Sequence, residues 1–509
     1  MKEYTIGETR RLLSQPNGPA GIDLDLAWDS LSRLVLDEGD SAALSAWVRA
    51  AKQKKYREQI AGQLSSLGMA GLLQADNPKT RKNAARLCGE LKRKEDIEAL
   101  KQAFQEETVR MVRPSQILAL GALGEEEILK TYTVPEASDV TEEKHAREER
   151  EALRTALGSL RKVPKHRPKG LPKNRLVELV VPDAMEDTVI RELRSAGLTG
   201  KRSAKGRVQT ELSSYKALLQ VRSWREMLFP LLTFQGPAEQ WAQILHKRVE
   251  PKLLDLLEKV YEGTAPYAYR IELKAEVDRG RISRRIADAL DPDKLINSPS
   301  DYETELRIEQ HGVYVTVYVK FCTLPDPRFS YRKGAIAASI HPTAAAAVVE
   351  WAAPYLKANA KVLDPCCGSG TMLIERAKFD TTDTLFGIDI SRQAIRVAEE
   401  NLEAAGASYK LITKDCTQFT AADKFDEVIS NLPFGNRVGD HETNEELYEK
   451  LFEKLPGWLS KDGIAILYTM EVRLVHRLLK KHAARLVLKS ATRTQAGGLD
   501  PGVFIIGIK

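Results

Sequence analysis

Residues 1–160 repeat apolar positions at helical spacing and show almost no strand alternation. Three stretches carry the pattern most clearly: DNPKTRKNAARLCGEL (76–91), RPSQILALGALGEEE (113–127) and REEREALRTALGSL (147–160). Each sets Ala and Leu at helical intervals and closes with a glycine (Gly89, Gly121 or Gly158), where a helix stop would stand. The glycines are spaced like helical-hairpin repeats, so the pattern predicts a HEAT-like helical array over 1–160, with an irregular helical bundle as the alternative.

The pattern breaks in RKVPKHRPKGLPKNR, which has no apolar periodicity and reads as a basic linker over 161–175. Strands and helices then alternate: RLVELVV, the helix AMEDTVIRELRSAGL, RVQTEL, the long amphipathic EQWAQILHKRVEPKLLDLLEKVYEG, YAYRIELKAEV, a short helix SRRIADAL, and the strands ETELRIEQ and VYVTVYVKF around His311 and Gly312. Such an order makes an α+β unit over 176–325.

From about 335 a third pattern begins, in which apolar strands and helices alternate regularly. The strands are KVLD, LFGIDI, YKLIT, DEVISN and GIAILYT, followed by ARLVLKS and VFIIGIK. This predicts a doubly wound α/β domain over 326–509 with a mainly parallel sheet. The last two strands are too close for a helical crossover, so the final strand should run antiparallel.

Composition narrows the class. At 509 residues, 43% hydrophobic and 29% charged, the chain reads as several folded domains rather than a disordered or fibrous protein. Neither a signal-peptide core nor eighteen unbroken apolar residues occur, which makes a cytoplasmic location the default expectation. Five cysteines match neither a disulfide framework nor a zinc spacing, so no metal is expected. The net charge of +6 says little, but clusters at 161–175, 194–207 and 279–285 can either follow a phosphate backbone or be plain solvated surface.

The chemistry gathers at the strand ends, where open parallel sheets bind ligands. The first strand of the third region ends in Asp364, Pro365, Cys366, Cys367, Gly368, Ser369 and Gly370, a glycine turn feeding a helix. A dinucleotide fingerprint needs a third glycine where Leu373 stands. Asp364 would also repel a pyrophosphate, by roughly 4 kcal/mol for unit charges about 4 Å apart at an effective dielectric near 20. The same carboxylate attracts the ammonium and sulfonium of S-adenosylmethionine, so sign selects that cofactor. Asp389, ending the second strand, suits the ribose hydroxyls, and Asp415, after the third, suits the adenine amino group.

The fourth strand ends in Asn431, Leu432, Pro433 and Phe434. Methylating an exocyclic amine requires its lone pair to be drawn out of the ring system. The Asn431 amide oxygen and the Leu432 carbonyl can each accept one amino hydrogen, Pro433 stiffens the turn, and Phe434 can stack on the base, worth about 1–3 kcal/mol. A paired amine is buried in a duplex, so the target base is expected flipped out or single-stranded.

DPCCGSG together with SNLPFGNR, and the order of elements over 175–509, resemble the THUMP-domain RNA guanine-N2-methyltransferases, tRNA members especially. That resemblance implies a ferredoxin-like segment plus a THUMP domain holding the tRNA acceptor end, and a Rossmann-like class I domain making N2-methylguanosine. It implies that Asp364, Cys366, Gly368, Gly370, Asp389 and Asp415 bind cofactor and that 431–434 form the catalytic motif. It further implies RNA contacts from Arg328, Tyr331, Arg332 and Lys333 in RFSYRKG, and from Arg437. The family's commoner residue at 432 is Pro; Leu supplies the same carbonyl. The helical region 1–160 is outside the usual architecture, and its partner, protein or RNA, stays open. Rival readings are ribosomal RNA as substrate, an adenine-N6-methyltransferase, and an inactive RNA-binding scaffold.

Overall fold

Ten α-helices make up the described secondary structure of residues 1–160, apart from one 3-10 turn at Lys94–Asp96. They are Ile6–Leu13, Leu24–Leu36, Ser41–Ala50, Lys54–Gln63, Ser66–Leu73, Pro78–Leu91, Ile97–Glu106, Arg113–Leu123, Glu126–Thr131 and Val140–Leu160. The computed structural model describes residues 3–15, 18, 22–137, 139–160, 165–337, 339–434, 441–495 and 498–509. The chain divides into two compact units, Met1–Lys162 and Val163–Lys509. Side-chain caps at Asp23, Asp40, Ser65 and Asn77 start four of the helices, as short polar residues do.

The glycines expected to stop helices do something else. Gly89, Gly121 and Gly158 lie inside their helices, and two of these helices end instead at left-handed Lys92 (φ 54°) and Gly124 (φ 91°). A Cβ on Gly121 would sit 2.6 Å from the Cβ of Ala156, and one on Gly89 would sit 3.4 Å from the Cα of Ala119. These glycines let helix 78–91 approach helix 113–123, and 113–123 approach 140–160. The pattern is one of close packing between every second helix, not of chain termination.

In the second unit, the segment expected to be a linker belongs to the fold from His166 onward. Its imidazole Nδ1 lies 2.9 Å from the Glu303 carboxylate, and the Lys169 N–H donates to the Val260 carbonyl at 2.8 Å. The middle region then builds a single eight-stranded sheet in the order β2-β3-β1-β4-β8-β7-β5-β6. Its strands are β1 Arg175–Val180, β2 Lys201–Ala204, β3 Arg207–Leu212, β4 Glu226–Gln235, β5 Tyr267–Lys274, β6 Leu295–Asn297, β7 Thr304–His311 and β8 Tyr314–Phe321. The expected hairpin is β7–β8, antiparallel through His311↔Tyr314. β4, which no alternation in the sequence announces, joins the halves by pairing with β1 and β8; its Pro230, which has no N–H to give, falls where the β4–β8 register shifts. Helices Glu186–Ser195, Ala238–Ile244, Glu250–Val260 and Arg279–Ala289 contribute to the apolar core on one face.

The third region forms a seven-stranded sheet in the order β11-β10-β9-β12-β13-β15-β14. Its strands are β9 Ala360–Asp364, β10 Thr382–Asp389, β11 Tyr409–Thr413, β12 Phe425–Asn431, β13 Leu459–Thr469, β14 Leu486–Arg493 and β15 Gly502–Ile508. β15 is antiparallel to both β13 and β14, as its short connection requires. The chain runs outward from β9 to β11, then returns to β12 on the other side of β9. The reversal opens a crevice between the carboxyl ends of β9 and β12, where such sheets bind ligands. Two apolar cores cover the faces, one including Leu373, Val348 and Ile466, the other including Leu432, Phe452 and Trp458. Among the described residues, no helix is long and apolar enough to cross a membrane.

Candidate active site

Asp364 ends β9, and Asn431 ends β12, so the topology sets both motifs at one crevice. A hydrogen bond connects them: the Ser430 hydroxyl donates to Asp364 Oδ1 at 2.6 Å, between two fully buried side chains. The same oxygen accepts the Cys366 N–H at 3.0 Å, closing the turn over the strand end. Burial pushes the Asp364 carboxyl up to about 7, with Asp389 adding repulsion and the bonds from Ser430 and Cys366 only partly opposing it. Ser430 opens the SNLPFGNR motif, but no role is legible for it in the sequence.

The glycine loop is built as the crevice needs. Gly368 (φ 53°) and Gly370 (φ 76°) both hold left-handed backbone, and Gly370 starts helix Thr371–Phe379. Asp389 braces the loop, one carboxylate oxygen accepting the Gly368 N–H at 2.9 Å and the other the Ser391 N–H at 2.9 Å. Ser391 in turn caps helix Arg392–Ala405. Leu373, at the third fingerprint position, is fully buried. The room it needs is supplied from the strand by Gly387, where a Cβ would come within 3.2 Å of Leu373 Cδ1 and 2.5 Å of Leu411 Cδ2.

Asp415 follows β11 and is half-buried, one oxygen accepting from the Thr417 N–H at 2.8 Å and its hydroxyl at 2.7 Å. Cys366 is half-buried with its Sγ 4.0 Å from that of Cys416, and both are free thiols. Asp364, Asp389 and Asp415 thus converge on one rim, and none is ion-paired to a described Lys, Arg or His. Three carboxylates with no ion pair among the described residues, one of them buried, fit a ligand that carries positive charge. Ile390, just beyond Asp389, leaves 75% of its surface exposed, an apolar face at the strand end that no sequence pattern marks.

The catalytic motif is held by its backbone. The Leu432 N–H donates to the Tyr468 carbonyl at 3.0 Å, and the Tyr448 hydroxyl donates to the Pro433 carbonyl at 3.1 Å. Leu432 buries its side chain fully among Val428, Phe452 and their neighbours, so the residue that departs from the family's usual Pro anchors the turn in the core. Phe434 is half-buried and tilts against Tyr468, ring centroids 6.1 Å apart. Arg437 lies outside the described residues.

The segment RFSYRKG departs most from expectation. Arg328 is buried: its guanidinium pairs with Asp326, donates to the carbonyls of Val221 and Trp224 at 3.0 and 3.1 Å, and stacks 3.5 Å from the Trp224 ring centroid. Tyr331 is also buried and donates its hydroxyl to Glu375, which accepts a two-pronged pair from Arg222. Neither side chain can reach RNA; together they lock the middle sheet onto the helix that follows the glycine loop. Arg332 is half-buried, and Lys333 is exposed.

Past Lys333, the chain is tied down by Asn401, a residue that no sequence motif points to. Fully buried in helix Arg392–Ala405, Asn401 accepts the N–H groups of Lys333 and Gly334 at 2.7 and 3.1 Å. Its amide donates to the carbonyls of Gly334 and Ser369 at 3.0 and 2.9 Å. Farther along, the Ser339 and Ser369 hydroxyls lie 2.8 Å apart. The segment therefore ends on the cofactor loop itself.

Comparison with known proteins agrees with this geometry. Residues 330–499 match the family model described as UPF0020: RMKL-like, methyltransferase domain. YpsC of Bacillus subtilis (strain 168) is 23% identical over 286 residues, covering 47% of this chain and 71% of YpsC. The U6 snRNA (guanine-N(2))-methyltransferase THUMPD2 of Bos taurus is 32% identical over 136 residues, which is 26% of each chain. The solved structure of SMU.472 complexed with SAH aligns with TM-score 0.53 at 15% identity, over 66% of this chain and 98% of that one, a likeness of fold. The resemblance drawn from the motifs holds for the domain that carries the glycine loop.

Proposed function

From a domain that belongs to the RMKL-like methyltransferase family, we infer that the protein transfers a methyl group to the exocyclic N2 of a guanosine in RNA, with tRNA the favoured substrate. The observation that carries this reading is the Ser430–Asp364 hydrogen bond, which sets a cation-seeking carboxylate and an amine-seeking motif at one crevice. S-adenosylmethionine, when bound, supplies an electrophilic methyl on a sulfonium. Asp364 and Asp389 would meet its positive end and its ribose, the glycine loop would give it backbone room, and Asp415 and the exposed face of Ile390 would serve the adenine.

The chain's remaining work is on the base. The Asn431 amide oxygen and the Leu432 carbonyl accept the two amino hydrogens, turning the nitrogen lone pair toward the methyl. Phe434 stacks on the ring, and the backbone ties to Tyr468 and Tyr448 keep the acceptors from moving. Alignment of the reacting atoms supplies much of the acceleration. Asn431 is neutral and takes no proton, so the strongly acidic methylated amine loses its proton to water.

Guanine N2 in RNA is supported by the likeness to THUMPD2, a guanine-N2-methyltransferase of U6 snRNA, and tRNA by the resemblance of the motifs to tRNA members. From the same resemblance the middle sheet is read as a ferredoxin-like and THUMP RNA-holding region, and Arg332, Lys333 and Arg437 as RNA contacts; the helical periodicity reads residues 1–160 as a HEAT-like array, with a cytoplasmic location as the default. Labelled methyl transfer to RNA followed by nucleoside analysis tests the reading: N2-methylguanosine is expected, and N6-methyladenosine would replace it with the rival. Asn431→Ala should lower kcat by about 10²–10³-fold while cofactor binding persists. Full activity in that variant removes the amide from the mechanism.

A further inference from the structure

The helical unit is electrically lopsided. Residues 49–94 hold twelve Lys or Arg against three Asp or Glu, whereas residues 95–151 hold seven against fifteen. The two halves also differ in how the charges are used. In the acidic half, four of the seven cations are ion-paired to carboxylates among the described residues: Lys101 to Glu125, Arg110 to Glu149, Lys130 to Glu126 and Arg150 to Glu143.

In the basic half, Arg81 and Arg93 are neutralised by Glu107 and Asp96, but Lys52, Lys79, Lys82, Lys92 and Lys94 have no acidic partner among the described residues. All five except the half-buried Lys82 are exposed, as is Arg86, which donates to neutral Asn83. They stand on or between helices that pack together: Lys79, Lys82 and Arg86 on 78–91, Lys92 and Lys94 just past its end, and Lys52 in the turn between 41–50 and 54–63, both of which touch 78–91; Arg93 donates to the Leu64 carbonyl just past helix 54–63.

One detail makes this more than a solvated face. Helix Lys54–Gln63 begins without a side-chain cap and without an acid in its first turn; two lysines, Lys54 and Lys55, stand at its positive end instead. Their pairings with Glu58 and Asp25 are at the surface, where such pairs contribute little. Cations there oppose the helix dipole, an unfavourable arrangement that a bound anion would reverse. Like charges gathered on one surface repel, and the unit has carboxylates enough elsewhere to neutralise them. A chain of phosphates matches an extended array of unpaired lysines better than a compact acidic side chain does.

We propose that this basic face of the helical unit, through Lys52, Lys79, Arg86 and Lys94, binds the phosphate backbone of the RNA substrate. The inference rests on the reading of RNA as substrate and gives the helical unit a part in holding it. It requires no base recognition, so the binding should be insensitive to sequence and strongly sensitive to salt.

The test uses the full chain and bulk tRNA, with affinity measured across a salt series. Each phosphate that is no longer neutralised lowers the slope of log affinity against log salt by about 0.7–0.9. The variant Lys52→Ala, Lys79→Ala, Arg86→Ala, Lys94→Ala should therefore lose about three units of slope and about 10- to 100-fold in affinity near 0.1 M salt. A second variant, Lys130→Ala, Lys144→Ala, Arg147→Ala, Arg150→Ala, removes four charges from the acidic half, two of them ion-paired, and should change neither by more than about twofold.

Equal losses in both variants, or none in the first, would overturn the inference. So would tighter binding of polyglutamate or of phosphatidylserine vesicles than of tRNA by the parent chain. Failure of the substrate reading is seen separately, as absence of methylated nucleoside from an RNA that the chain still binds through this face.

Discussion

On β7 of the middle sheet, Arg307 and Glu305 are buried side by side with Glu226 and Lys320 around them, while at the end of β9 Asp364 is buried with no cation beside it among the described residues. Burial alone would push both Glu226 and Asp364 up. For Glu226, hydrogen bonds from Arg307 and Lys320 overcome it and hold the carboxyl down to about 2; for Asp364 nothing does, and it stands at about 7. The middle sheet spends its charges on itself, through Arg270 to Glu305 and Arg207 to Glu309 as well. A buried carboxylate left without its cation, at the mouth of a parallel sheet, marks a place kept for a charged ligand.

The comparison breaks most visibly at Arg307. Its guanidinium donates to Glu305 and Glu226, and its side chain is 4% exposed. Arg307→Met leaves Glu305 with Arg270 and Glu226 with Lys320 but removes the guanidinium that joins the two carboxylates, and should cost about 1.5–3 kcal/mol. The measurement is thermal or denaturant unfolding of the full chain, and a change below about 1 kcal/mol would mean that the network adds nothing to the fold.

Asp364→Asn sharpens the contrast from the other side. The amide keeps an oxygen for Cys366 and Ser430 but removes an uncompensated charge, so stability at pH 8 should hold or rise. Cofactor affinity should instead fall by about 10- to 100-fold, roughly 1.4–2.8 kcal/mol. The pH dependence follows with a definite sign. The folded value of about 7 lies above the ordinary value of 3.8, so the folded chain holds the extra proton between them, and stability falls as pH rises across that window. A cationic ligand favours the carboxylate; affinity should rise up to about tenfold per pH unit toward about 7, with a proton released, and then level off. Calorimetry of cofactor binding from about pH 5.5 to 7.5 reads both, and a flat profile in the parent chain would refute the account.

What could be read in the sequence was what depends on order along the chain. Asp364, Gly368, Asp389 and Asn431 follow strands, and strand ends in an alternating α/β pattern converge whatever the details of packing. The antiparallel β15 came from a connection too short to hold a helix. What could not be read depends on partners remote in sequence. Gly89 and Gly121 look like helix stops until Ala119 and Ala156 are set against them. Arg328 and Tyr331 have the composition of an RNA-binding strap, and only Trp224 and Glu375, far along the chain, show that they face inward. β4 was hidden by Pro230 and by an apolar run with no alternation, both consequences of its place in the middle of a sheet with one irregular register.

Asn401 gives the smallest expected effect and the finest test of the comparison, because it is a buried polar group that is neither charged nor in touch with a ligand. Its four bonds are all satisfied, two accepted and two donated, between the segment at Lys333–Gly334 and the carbonyl of Ser369 in the glycine loop. Asn401→Asp keeps the shape and the two accepted bonds but turns the donating nitrogen into an oxygen that faces the Gly334 and Ser369 carbonyls. Missing donors among buried carbonyls cost about 1–3 kcal/mol, borne by the loop rather than by either sheet. Cofactor KM should therefore rise about tenfold, with kcat within about twofold and the unfolding transition only slightly lowered. Equal losses in KM and stability would make Asn401 an ordinary core residue. A rise in KM with the melt preserved would show that the loop's geometry is set from helix 392–405, by a bond that no strand-end pattern announces.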